Sequence, residues 1–296
     1  MGHIVLDVGG TSIKAAIYNE GEIKNFKEYP TEALKGGTHV VEKIKSIIYE
    51  KIEERNVEAI GISTAGQVDF ERGMIRHANE NIPDYTGIHL KEILEDEFFL
   101  PVVIENDVNC AALGEGHYGA ARNVNEFLCL TYGTGVGGAI VIDGKIFRGA
   151  DGSAGEFGSM IIHGGECVEG KRIKGCYEEK ASTSALVKTV CSRYPEIRSG
   201  REIFGRLGES KIREQVDKWS KEVAYGLISL IHIFNPACII LGGGVMVQDY
   251  ILEKVRTEVY KRIMPSFSGV NIKQAELGNM AGLYGAAYLA ERIHIK

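Results

Sequence analysis

Leu6-Asp7-Val8-Gly9-Gly10-Thr11 and Tyr132-Gly133-Thr134-Gly135-Val136-Gly137-Gly138 are two versions of one local pattern, set more than a hundred residues apart. An apolar β-type run precedes each, His3-Ile4-Val5-Leu6 in the first case and Phe127-Leu128-Cys129-Leu130 in the second. Another apolar run follows each, from Ile13 to Tyr18 and from Ala139 to Ile142. The reading in both is strand, tight turn, strand, with a tip of Gly and Thr. Glycine allows the backbone close to a bulky anion, and backbone N–H groups and Thr hydroxyls donate to it. Two facing hairpins of this kind would grip a polyphosphate from both sides, which points to a phosphotransfer enzyme. The second turn is not a Walker loop, because no Lys-Ser/Thr follows it. It is not a dinucleotide fingerprint, because a strand follows where that motif opens a helix.

Working outward, residues 40–52 carry Val40, Val41, Ile44, Ile47, Ile48 and Ile52 at helical spacing. The pattern predicts a strand over Ala59–Ser63, ending in the turn Thr64-Ala65-Gly66-Gln67, and a helix over Ile88–Phe99. A strand over Pro101–Glu105 follows, then a helix over Val108–Tyr118. After the second hairpin series, helices are expected over Ser182–Tyr194, Ile212–Phe234, Tyr250–Met264 and Ala281–Ile293. A strand over Cys238–Leu241 stops at Gly242-Gly243-Gly244. The duplicated plan implies two related α/β domains with a cleft between them. The expected division is 1–118 against 119–280, with the helix at about 281–296 packing back on the first domain.

Composition limits the function classes. The chain has 296 residues, 44% hydrophobic and 25% charged, with a net charge of −6. Nucleic-acid binding rests on clustered Lys and Arg, and no such block occurs. No apolar run reaches the ~18 residues of a membrane span, and there is no signal-peptide pattern. The six cysteines are scattered, which fits reduced thiols and a cytoplasmic protein.

Individual residues then take candidate roles. Asp7 would hold magnesium, through water, while Gly9, Gly10, Thr11 and Lys14 face the terminal phosphates of a nucleotide. Gly133, Thr134 and Gly135 would hold the same phosphates. Gly243 and Gly244 would let an adenine or ribose lie against the backbone, or else serve only as a helix-entry turn. Glu105-Asn106-Asp107 at a strand end supplies the acid–base candidate. A sugar hydroxyl needs a carboxylate within hydrogen-bond reach to take its proton, and Asp107 is the choice, with Asn106 fixing a neighbouring hydroxyl. N-capping of the following helix would account for one of these two residues but not for both. Glu156 and Glu178 would accept from sugar hydroxyls, or be solvated surface carboxylates. Gly66-Gln67 and Asn79 or Asn81 would complete a sugar pocket, or be turn formers. His163, Cys167 and Cys176 raise zinc, but the two cysteines are nine apart with no close pair and no fourth ligand, so none is expected.

In these motifs the chain resembles the ROK family (repressors, open reading frames and sugar kinases) of the actin-like ATPase superfamily. The resemblance rests on Asp7–Thr11, the Gly66 turn, Glu105–Asp107, Gly133–Gly138, Gly155-Glu156-Phe157-Gly158, Gly175-Cys176-Tyr177-Glu178 with Ser182, and Gly242–Gly244, in the family's order. It implies two actin-like (ribonuclease H-like) α/β lobes around a central cleft. It also implies transfer of the γ-phosphate of ATP, with magnesium, to a hexose hydroxyl at C6, by a homodimer. The family's base maps onto Asp107 and its sugar-binding residues onto Asn106, Glu156 and Glu178. The chain departs where the family has His after Gly-Glu-x-Gly, since Ser159 stands there, and its cysteine cluster is reduced to Cys176 in register. That puts plain glucose specificity in question and favours comparison with zinc-less kinases for N-acetylmannosamine and β-glucosides. The alternatives are a sugar-responsive transcriptional regulator of the same family or a sugar-binding protein without catalysis. The regulators carry a helix-turn-helix domain ahead of the first phosphate turn, for which Asp7 leaves no room.

Overall fold

The computed structural model describes residues 2–53, 57–164 and 174–293. The chain divides into two compact units, the first made of Met1–Asn123, Lys145–Ala154 and Leu277–Lys296, the second of Val124–Gly144 and Gly155–Glu276. The opening run folds as the meander β1 (Gly2–Val8), β2 (Ser12–Asn19) and β3 (Glu22–Pro30). Helix α1 (Gly37–Ile52), β4 (Val57–Thr64), the small hairpin β5 (Gln67–Asp69) and β6 (Met74–His77), α2 (Leu90–Phe98), β7 (Val102–Asn106) and α3 (Asp107–Tyr118) follow. Then come β8 (Phe127–Tyr132), β9 (Val136–Ile142), β10 (Lys145–Ile146), α4 (Tyr177–Ala181), α5 (Thr183–Arg193), α6 (Gly200–Gly205) and α7 (Ser210–Phe234). The chain finishes with β11 (Cys238–Gly242), α8 (Asp249–Tyr260), β12 (Asn271–Gln274) and α9 (Ala281–Glu291).

The two five-stranded sheets have one topology. The first runs β3-β2-β1-β4-β7 and the second β10-β9-β8-β11-β12. In each, the hairpin partner of the central strand is antiparallel, and the strands on its other side are parallel to it. The turn between β1 and β2, and that between β8 and β9, are the two glycine stretches.

Burial on both faces explains why Ile4-Val5-Leu6 of β1 is continuously apolar. Ile4, Leu6 and Val8 join Ile13, Ala15 and Ile17 of β2 in the core under α1 and α2. Val5, Ala16 and Tyr18 point to the other face, where they pack with Cys110 of α3 and Leu283, Ala286 and Ala287 of α9. A strand covered on both faces has no polar side to show. Each buried Val, Ile or Leu among them contributes roughly 1.5–3 kcal/mol of burial. Helix α9 lies close on β1, and its residue 282 is Gly for a local reason: a Cβ there would stand 2.8 Å from Asp7 Oδ1 and 3.0 Å from Ser63 Oγ.

The structure departs from the sequence pattern at element ends. Helix α8 stops at Tyr260, short of Met264. Met264 is extended ahead of Pro265, as the clash with a proline ring requires. The strand β12 and helix α6 are short and lack an apolar period. Among the described residues no helix is long and apolar enough to cross a membrane.

Candidate active site

The first unit gathers two carboxylates from parallel strands. Asp7, near the end of β1, is the register partner of Lys14 on β2 and of Ser63 on β4. Its Oδ2 accepts from Lys14 Nζ at 2.9 Å and its Oδ1 from Ser63 Oγ at 2.7 Å. The turn beyond it is tied down by its carbonyls: Gly9 accepts from Thr31 Oγ1 and Thr11 from the Thr31 amide. Gly10 and Thr11 are exposed, and among the described residues their amides have no backbone acceptor. Asn81 stands beside this turn, its Cβ 3.8 Å from where a Cβ on Gly10 would be.

Two strands away, β7 ends in Glu105 and Asn106 and delivers Asp107 as the first residue of α3. Asn106 is the N-cap. Its Oδ1 accepts from the amides of Val108 and Asn109 at 2.9 and 3.1 Å, and its Nδ2 donates to Gly66 O at 3.0 Å and Asp107 Oδ1 at 2.8 Å. Two donors on one side and two acceptors on the other fix the amide's orientation. Asn106 is therefore the capping residue, and Asp107, at the first helical position, shares only the Val108 amide with it. Asp107 Oδ1 also accepts from the Val108 amide at 2.9 Å, so both of these bonds fall on Oδ1. Burial, and next the charge of Asp7, push the Asp107 carboxyl up to about 6, against hydrogen bonds from Val108 and Asn106 that pull it down. Gly66 has φ of 96°, a left-handed conformation that suits glycine, and its carbonyl receives Asn106.

The Asp7 carboxylate fits the requirements of a hydrated magnesium ion better than those of a bare one. Each Asp7 oxygen already carries one hydrogen bond and keeps a further lone pair, as an outer-sphere carboxylate needs.

The second unit holds a cavity of about 960 Å³ that starts at the second glycine turn. Its lining includes Gly133 and Thr134 of the turn, Thr183, Ser184 and Lys188 of α5, and Arg201 and Phe204 of α6. Gly244, Val245 and Gln248 close it beyond β11. Ser182 caps α5 through the Ala185 amide, so the first turn of an eleven-residue helix, with its partial positive charge, faces this cavity. Among the described residues the lining has two basic side chains and no carboxylate, which suits a polyanion. Thr183 Oγ1 and the Ser184 amide bind the carbonyls of Tyr132 and Gly133, joining α5 to the turn. Gly243 has φ of 104°, and a side chain there would run into the Tyr132 carbonyl.

The remaining expected residues lie in the second unit as well. Glu178, on α4, packs against the turn, its Oε2 2.6 Å from where a Gly135 Cβ would be and 2.9 Å from a Gly158 Cβ. Glu156 and Ser159 are exposed at a single 3-10 turn and are joined by the Ser159 amide to the Glu156 carbonyl. His163 pairs with Glu222 of α7 at 2.6 Å, and Cys176 is buried at the start of α4. Cys167 lies outside the described residues. Among the described residues no three His, Cys, Asp or Glu side chains gather to hold a metal.

Thr183, Ser184, Lys188, Arg201, Phe204 and Gln248 belong to none of the sequence motifs. The start of the expected helix at Ser182 is the one local sign of a helix terminus near the turn, and the structure makes Ser182 its N-cap.

Known proteins are similar to this chain over nearly its whole length. An uncharacterized protein of Clostridium perfringens is 39% identical over 292 residues, covering 96% of both chains. A glucokinase of Halalkalibacterium halodurans is 30% identical, covering 98% of this chain and 95% of its own. The crystal structure of a ROK family glucokinase from Streptomyces griseus, in complex with glucose and AMPPNP, superposes with a TM-score of 0.86 at 31% identity, covering 99% of this chain and all of that one. The units thus carry the actin-like α/β fold of these kinases. The model of the ROK family matches residues 3–293, and the chain belongs to the ROK family.

Proposed function

We propose that this protein is an ATP-dependent hexose kinase that phosphorylates the C6 hydroxyl of glucose, N-acetylmannosamine or a related hexose or β-glucoside. The observation that carries the reading is Asp107. It is a carboxylate at a helix start, relieved of capping by Asn106 and with a proton affinity raised towards neutrality. A general base works best when its pKa lies near the working pH, because it is then both ionised and proton-seeking. Oδ1 is held by Val108 and Asn106, so Oδ2 is the oxygen that takes the hydroxyl proton as the phosphoryl group arrives.

The second unit's cavity takes the nucleoside, with Thr134 and Gly135 donating to phosphate oxygens, Gly133 closing the turn through its amide's bond to the Gly135 carbonyl, and Gly243 and Gly244 leaving room for the ribose or base. In the first unit Gly10 and Thr11 donate to the terminal phosphate, Gly9 shapes the turn through its amide's bond to the Ser12 carbonyl, and Lys14 both charges that turn and orients Asp7. A magnesium ion beside Asp7 would neutralise charge on the phosphate oxygens. Asn81, the Gly66 turn, Glu156, Ser159 and Glu178 would bind sugar hydroxyls. Asn106 contributes by fixing Asp107, since its own amide is fully engaged.

The test is sugar-dependent ADP release with magnesium and ATP, run on glucose, N-acetylmannosamine, N-acetylglucosamine, fructose and a β-glucoside. At least one is expected to give ADP and a hexose phosphate in equal amounts. Failure of all five would remove the reading.

A further inference from the structure

Beneath Asp107 lies an ion pair between a buried carboxylate and a partly exposed guanidinium that the proton transfer itself does not use. Glu105, one residue ahead of the cap, has a side chain only 1% exposed. Its Oε1 accepts from the Asn106 amide at 2.8 Å and from Asn109 Nδ2 at 3.0 Å. Its Oε2 accepts from Arg148 Nη2 at 2.6 Å and Nε at 3.1 Å. The guanidinium in turn lies 3.9 Å from the ring centre of Phe70. Asn106 and Asn109 flank Asp107 on either side, so the two bonds on Oε1 pin the opening turn of α3 from below. The segment that carries Arg148 is itself anchored in the first unit. Arg76 donates to the Asp151 carbonyl at 2.7 Å, and Ser153 bonds Gln67 at 3.1 Å.

Resting on the assignment of Asp107 as base, we infer that Arg148 is a positioning residue for the phosphoryl transfer, acting through Glu105 on the placement of Asp107. A carboxylate this deeply buried is held in place by a cation beside it, and removing that cation leaves it unpaired. Arg supplies two donors to one oxygen in a planar fork and stacks its face on Phe70, which Lys does not reproduce. Without the guanidinium, Glu105 is an unpaired buried charge and turns towards water. That rotation draws Oε1 away from the Asn106 amide and Asn109 Nδ2, and Asp107 shifts with them. Misplacement on the ångström scale lowers a chemical step by up to about a hundredfold. Arg148 touches neither the sugar nor the nucleotide in this scheme, so ground-state binding is untouched.

The variants Arg148→Met, Arg148→Lys, Glu105→Gln/Arg148→Met and Asp107→Asn test this, with the fastest sugar of the five and magnesium ATP. Each is assayed well below its own melting temperature. Arg148→Met is expected to lower kcat between about tenfold and a hundredfold, with KM for sugar and for ATP unchanged within about twofold. Arg148→Lys is expected to fall between Arg148→Met and the parent. The double variant, in which a neutral amide oxygen keeps the Asn106 and Asn109 bonds, is expected to recover most of kcat. If Arg148→Met does not fold, the lysine and double variants carry the comparison. Parental kcat in the methionine or lysine variant would overturn the inference, as would a loss shared with both KM values or matched by an unfolded fraction. If Asp107→Asn also keeps its turnover, it is the base assignment that fails. If Asp107→Asn is inactive while the Arg148 variants are normal, only the inference about Arg148 falls.

Discussion

Replacing Asp107 by Asn should make the protein more stable while disabling it. The carboxyl is raised from its ordinary 3.8 to about 6, chiefly by burial and then by Asp7. The folded state therefore holds that proton more tightly than the unfolded chain does. Below about pH 4 both states are protonated and the group contributes nothing. Between about 4 and 6 the unfolded chain loses its proton first, so stability falls as pH rises. Above about 6 the full penalty is in place. A shift of about two units at 1.36 kcal/mol each sets a ceiling near 3 kcal/mol. Because Asp107 keeps part of its surface open to solvent, about 1–3 kcal/mol is the expected range. The asparagine Oδ1 can still accept from Val108 and Asn106, so the substitution removes the charge and keeps the bonds. Thermal unfolding of both proteins from pH 4.5 to 8 reads the difference. The variant should melt several degrees higher at pH 8, and the gap should shrink towards zero as the pH approaches 4. A variant less stable at pH 8, or a gap that ignores pH, would refute the reasoning.

Three further outcomes are expected. Because the base must be ionised, kcat/KM should fall with a slope of one below about pH 6, and a profile flat to pH 5 would contradict the raised Asp107 carboxyl. Gly282→Ala gains up to about 1 kcal/mol of helix propensity but places a methyl 2.8 Å from Asp7 Oδ1. Overpacking of about 1–3 kcal/mol should win, lowering the melting temperature and raising the magnesium concentration needed for half-maximal rate. An unchanged magnesium requirement would separate Asp7 from the metal. Phe204→Ala removes a ring from the wall of the second unit's cavity and should raise KM for ATP about tenfold or more while leaving the sugar KM unchanged; equal effects on both would argue against that cavity as the nucleotide site.

Much of this fold is written in short apolar runs. His3–Leu6, Phe127–Leu130 and Cys238–Leu241 are strands covered on both faces, and their continuous hydrophobicity follows from that. The stripe from Val40 to Ile52 marks α1 because only one of its sides meets the sheet. The hairpin β5–β6 and helix α6 left no such trace, since they are short and bury few side chains. At the site, Glu105-Asn106-Asp107 was visible as a polar cluster at a strand end. The division of labour within it was not, because it depends on which amide hydrogens Asn106 faces. The cavity was less legible still: Lys188, Arg201, Phe204 and Gln248 come from three segments that only the chain's folding brings to one wall. Arg148 sits in a stretch without period, and nothing local announces that its partner is forty-three residues earlier.

The central claim is that one carboxylate removes the acceptor's proton. The most direct measurement is the turnover of Asp107→Asn beside the parent, with ATP affinity titrated on the same samples. Removal of a general base should cost turnover about 10²–10⁴-fold, with nucleotide affinity unchanged. Turnover within a few-fold of the parent would contradict the account.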